Sequence, residues 1–131
     1  MEITALIAVA IKARELAYAP FSGLKIGAAV LADDDRIYAG CNVENSSFGL
    51  SLCAERVAIF KCISEGSSNI KALAVVGDDD NLYVPCGACL QVLAEFASDA
   101  QIIVANLRGK KRLSSLSELL PEKFRIYPAS G

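Results

Sequence analysis

The chain has no histidine, no tryptophan and a single methionine among its 131 residues. Without imidazole, a metal centre here has to be built from thiols and carboxylates. An excess of either charge is missing too. Thirteen Lys and Arg stand against fifteen Asp and Glu, a formal charge of −2, and no basic face is left for nucleic acid. The one basic run, Lys110-Lys111-Arg112, reads as a solvated loop. There is no linker, no internal repeat and no low-complexity segment, so one domain over residues 1–131 is expected. A membrane span is also missing. The apolar run Ile3–Ile11 follows Glu2 with no basic stretch before it, and Lys12, Arg14 and Glu15 succeed it at helical spacing. That is an amphipathic helix of the folded domain rather than a signal peptide. The cytoplasm is then the expected compartment, and structural disulfides are improbable there. Five cysteines, an odd number, do not suit a closed disulfide framework either.

What is present in quantity is apolar. Hydrophobic residues make up 53% of the chain and charged residues 21%, enough for a real core. Helical spacing runs from Thr4 to about Tyr18, where Pro20 stops it. "LKIGAAVLA" and "RIYAGCNVE", joined by Asp33-Asp34-Asp35, predict a β-hairpin. "CAERVAIFKCISEG" is helical, with Ala54, Val57, Ala58 and Cys62 on one face. "IKALAVVG" and "QIIVANL" are continuous apolar strands of the kind buried on both faces. "CGACLQVLAEFAS" between them is helical, and "SLSELLP" is a short last helix. The order α-β-β-α-β-α-β-α predicts a three-layer α/β/α sandwich around a mixed sheet.

The chemistry concentrates at the starts of the two central helices. Cys53 and Glu55 open one, in "CAER". Cys86 and Cys89 open the other, in "PCGAC", where residues three apart share a helix face and can grip one ion. With Cys53 the set is three thiolates and an open position, the pattern of a catalytic zinc site; a structural site needs a fourth ligand. A C-x-x-C pair alone also fits a redox motif, and a lone buried cysteine packs as a small hydrophobe. Neither explains three cysteines at two helix starts. Cys41 and Cys62 sit in contexts that read as core packing. Beside an open metal position, Glu55 can move a proton from water to substrate; taken alone it is a favourable acid in a first helical turn. Arg56 reads equally as a surface arginine or as a cation beside the thiolates.

In order along the chain, "AYAPFSGLKIGAAVL", "GCNVENSSF", "LCAER", "VPCGACLQV" and "ELLPEKF" resemble the zinc-dependent cytidine deaminase superfamily. The likeness is to the form whose first ligand is cysteine, and within it to the small homotetrameric enzymes. It covers nearly the whole chain. The resemblance implies one zinc per chain on Cys53, Cys86 and Cys89, Glu55 as proton shuttle, and Arg56 hydrogen-bonded to the thiolates. It implies Asn42 and Glu44, in "NVEN", on a ribose hydroxyl, and the backbone around Ala54 against the pyrimidine. Phe124 matches an aromatic contributed across a subunit boundary. Leu24 stands where the family commonly has phenylalanine against the pyrimidine, Phe48 replaces a frequent tyrosine near the sugar, and Leu90 replaces a common arginine after the last ligand. The implied reaction is hydrolytic deamination of cytidine and deoxycytidine to uridine and deoxyuridine plus ammonia, in pyrimidine salvage, by a cytoplasmic homotetramer. A blasticidin-S-type deaminase acting on a modified cytosine nucleoside is the alternative that Leu24 and Phe48 keep open, although "NVEN" favours an unmodified ribose. A non-catalytic zinc-binding module would leave Glu55 and the open position idle.

Overall fold

Helix α1 takes up the N-terminal apolar run, Ile3–Arg14, in a computed structural model that describes residues 3–126. It stops short of Tyr18 because that residue joins a strand-like bridge. The Tyr18 N–H donates to the Asn42 carbonyl at 3.0 Å, and its own carbonyl accepts from Glu44 N–H at 2.9 Å. Inter-segment pairing outweighs helical spacing there, and tyrosine suits the extended state.

The predicted hairpin forms as β1 (Gly27–Ala32) and β2 (Ile37–Cys41), paired antiparallel with Val30 opposite Tyr38. A single 3₁₀ turn at Phe48–Leu50 precedes α2 (Ala54–Ser64). Strand β3 (Ile70–Val76) leads through a loop to α3 (Gly87–Glu95), which returns to β4 (Gln101–Ala105), parallel to β3. Strand β5 (Lys111–Ser115) and the short α4 (Leu116–Leu119) complete the order. The basic run expected as a loop therefore lies largely in a strand, with Arg112 opposite Val104 and Lys111 opposite Ala105. Its three leading residues are exposed. An edge strand buries little and shows no apolar alternation, while charge on an edge also discourages pairing with another chain.

The five strands run β2-β1-β3-β4-β5, mixed as expected. Alternate residues of each central strand serve opposite faces. Ala29, Leu31, Ala74, Val76 and Ile103 pack with Leu6 and Ala10 of α1. Val30, Leu73, Val75, Ile102 and Val104 pack under α2 and α3, against Ala58, Ile59 and Leu93. The result is a three-layer α/β/α sandwich. On α2 the fully buried positions include Ala54, Ala58, Ile59 and Cys62, whereas Val57 lies only partly buried at the edge.

Candidate metal centre and active site

Both helix starts that carry the thiols lie on the same side of the sheet. Cys53 is the N-cap of α2 and Cys86 the N-cap of α3, and neither spends its side chain capping its own helix. The depth of α2 is set by Gly40 on β2. A Cβ there would lie 2.5 Å from Ala58 N and 2.7 Å from the Ala54 carbonyl, so only glycine lets the first turns of α2 lie flush on the strand.

The sulfurs of Cys53, Cys86 and Cys89 all lie within 4.8 Å of one another. The Cys86 and Cys89 sulfurs are 3.6 Å apart. Two thiolates on a tetrahedral zinc, each at about 2.3 Å, would be separated by about 3.8 Å. The three thiols therefore fit a zinc ion with one position left open. Cys41 and Cys62 take no part. Cys62 is in the core, whereas Cys41, expected in the core, is only half-buried and faces a separate groove between α1, β2 and α2.

Electrostatics favour negative charge at the Cys53 sulfur. A hydrogen bond from Cys89, and the guanidinium of Arg56 with Nη2 3.5 Å from Sγ, hold the Cys53 thiol down at about 5. Cys89 is pushed well up by donating that bond and by burial. The two shifts are halves of one shared proton, which a cation among the sulfurs would displace. Arg56 thus stands beside the thiolates as the resemblance implies, and its Nε is buried without a hydrogen-bond partner among the described residues. Glu55, in the first turn of α2, is 6% exposed. Burial, then the Cys53 thiolate, pushes its carboxyl up to about 7.

Above the thiols opens a cleft of about 320 Å³. Its lining includes Leu24, Asn42, Glu44, Cys53, Glu55 and Cys86, so residues distant in sequence meet in one place. The Asn42 amide is engaged at both ends, accepting from Ile26 N–H at 2.8 Å and donating to the Leu24 carbonyl at 2.8 Å. Glu44 accepts from Phe21 N–H, Ser22 N–H and the Ser22 hydroxyl, bonds that hold its carboxyl below its ordinary range. Both residues brace the 21–26 segment that forms one wall. Ala54 is fully buried beside the cleft. Leu90, the α3 residue next to Cys89, is buried in the core. Two expected substrate contacts are not brought to the cleft of this single chain. Phe48 is 73% exposed and packs edge-on against Phe21, ring centres 5.6 Å apart. Phe124 is 70% exposed, its backbone tied to the Gln91 amide through both N–H and carbonyl. Six lining residues escaped the sequence reading: Ser22, Ile26, Ser51, Leu52, Tyr83 and Val84. Of these only Tyr83 carried a signal, as an aromatic close before the Pro85-Cys86 helix start.

Residues 1–105 match the family model described as the cytidine and deoxycytidylate deaminase zinc-binding region. The chain belongs to this family. It is accordingly a zinc-binding deaminase, a hydrolytic enzyme, and the three-thiol cluster is the place in it that fits the ion. Among curated relatives, a cytidine deaminase of Sporosarcina psychrophila is 47% identical over 125 residues, 95% of this chain and 92% of that one. One from Halalkalibacterium halodurans is 46% identical over 125 residues, 95% of each chain. Among solved structures, the cytidine deaminase of Burkholderia pseudomallei superposes with a TM-score of 0.90 at 43% identity, covering 95% of this chain and all of the other. No helix among the described residues of this deaminase is long and apolar enough to cross a membrane.

Proposed function

We propose that this deaminase acts on cytidine and deoxycytidine, converting them to uridine and deoxyuridine with release of ammonia. The observation that carries the reading is the meeting, in one cleft, of a buried Glu55, the Cys53 and Cys86 thiols, and Asn42 with Glu44 on the wall. Zinc, when bound by Cys53, Cys86 and Cys89, supplies Lewis acidity that makes water a nucleophile near neutral pH. Arg56 keeps positive charge against the sulfurs. Glu55 takes a proton from water and delivers it to N3 of the pyrimidine, and a second proton to the exocyclic nitrogen. The water oxygen bonds to C4, the C4–N bond breaks and ammonia leaves. Asn42 and Glu44 hold a ribose hydroxyl, which requires them to exchange part of their bonding to the 21–26 segment. The Ala54 backbone and Leu24 contact the ring. The names of relatives at 46% and 47% identity support cytidine over the modified nucleoside of a blasticidin-S-type enzyme.

The same reading makes the chain one catalytic domain working as a homotetramer in the cytoplasm, in pyrimidine salvage. Phe48, Leu50, Phe124 and Ile126, each at least 70% exposed, are large apolar side chains that a neighbouring copy would cover. Phe48 and Phe124 would then reach a neighbour's cleft instead of their own. The test is loss of cytidine absorbance on mixing with zinc-loaded protein, abolished by a chelator and restored by zinc. Protein with about one zinc per chain that leaves cytidine and deoxycytidine unchanged overturns the proposal.

A further inference from the structure

Tyr83 is the only aromatic side chain among the described residues that line the cleft. Leu24, on the opposite stretch of chain, is where the sequence resemblance led one to expect a ring. Two contacts fix Tyr83. Its hydroxyl donates to Asp78 Oδ2 at 2.5 Å. Asp78 in turn accepts from the Asp80 and Asn81 N–H groups and from the Asn81 amide, so its position is set by its own turn. These bonds, the Tyr83 one foremost, hold the Asp78 carboxyl well below its usual range. The ring itself lies on Gly77, where a Cβ would fall 2.4 Å from Cδ2 and 2.6 Å from Cε2. Gly77 is anchored through its carbonyl, which accepts from Arg14 Nε of α1. A half-buried tyrosine spends neither its hydroxyl nor its ring position in this way by chance, because each restraint costs the side chain rotamer freedom.

We infer that Tyr83, held by Asp78 and Gly77, is the aromatic wall that positions the nucleoside in this cleft and sets its affinity. The inference rests on the nucleoside deaminase reading above. A ring in fixed position offers a π-face or edge to the substrate at little further entropic cost. The contact is with parts of the substrate that do not react, so ground and transition states feel it alike. Its loss therefore raises KM and leaves kcat. Asp78 and Gly77 act only through Tyr83 and are positioning residues.

The experiment is steady-state cytidine deamination by zinc-loaded wild type, Tyr83→Leu, Tyr83→Phe and Gly77→Ala, with zinc content, melting temperature and uridine affinity measured on each. Tyr83→Leu should raise KM and weaken uridine up to about tenfold, the worth of a well-formed aromatic contact, with kcat within about twofold and zinc unchanged. Tyr83→Phe keeps the ring and loses the Asp78 bond, so its KM should lie between the two. Gly77→Ala moves the ring without touching Tyr83 and should follow Tyr83→Leu. The inference alone is overturned if wild type turns over cytidine and Tyr83→Leu has the same KM. It is overturned equally if kcat and zinc fall together while KM stays, since that is a structural role. A wild type inert toward cytidine is a different result, seen before any variant is made. It removes the activity and the wall with it.

Discussion

At the scale of single residues, the proposed reading separates a group that would move protons from groups that would hold the metal. Glu55 and Cys53 are two positions apart, yet one is buried within the first turn of α2 and the other caps it with its thiol turned to the cluster. Glu55→Gln keeps the size of the side chain and removes its capacity to carry a proton. The variant should fold, retain about one zinc per chain and lose activity on the order of 10²-fold or more. Near-normal turnover would reduce Glu55 to a helix-start acid. Cys86→Ala should do the opposite, losing zinc and activity together, as elemental analysis would record. The sequence already pointed to Cys53, Glu55, Cys86 and Cys89 because their spacing from helix starts is a local property. Phe48 and Phe124 were also named from sequence, but a single chain leaves them exposed and away from its own cleft.

Elements position those residues, and the tightest constraint is where α2 meets β2. Gly40 allows the backbone of Ala54 and Ala58 to approach closer than any side chain would permit. Gly40→Ala must lift or tilt α2, and with it Cys53 at its N-cap, while Cys86 and Cys89 stay on α3. Overpacking of this kind costs about 1–3 kcal/mol, to be read as a lower denaturant midpoint, with weaker zinc retention in a chelator competition. Unchanged stability and zinc content would mean that α2 is not seated by this contact. The element order was mostly legible because apolar periodicity reports burial directly. Two departures share one cause. The end of α1 and the basic strand β5 are decided by backbone pairing with a distant segment, through Tyr18 with Asn42 and Glu44 and through Lys111 with Ala105, which local spacing does not encode.

For the whole molecule, the prediction concerns assembly. The proposed homotetramer is supported by Phe48, Leu50, Phe124 and Ile126, four strongly exposed apolar side chains that a neighbouring copy would cover. Light scattering should give the mass of a tetramer, and dilution to dissociation should lower activity without releasing zinc. Phe124→Ala should weaken substrate use while leaving metal content intact. A monomer with full activity would overturn the assembly and the role of Phe124 with it.

By itself the sequence determined the class of fold, the three thiols and the carboxylate. Each follows from what lies within one helix or strand: a period of apolar residues, a pair three apart, an acid in a first turn. Tertiary structure decided everything that depends on distance between segments. It brought Cys53 within 4.8 Å of Cys86 and Cys89, and set Asn42 and Glu44 against the 21–26 wall. It left Leu90 in the core and Cys41 out of it. It also turned Tyr83, marked in the sequence only as an aromatic ahead of Pro85-Cys86, into a cleft residue fixed by Asp78 and Gly77. The physical reason is that spacing along a chain fixes which side chains share a face, whereas closing a loop between two faces is settled only by packing the whole core.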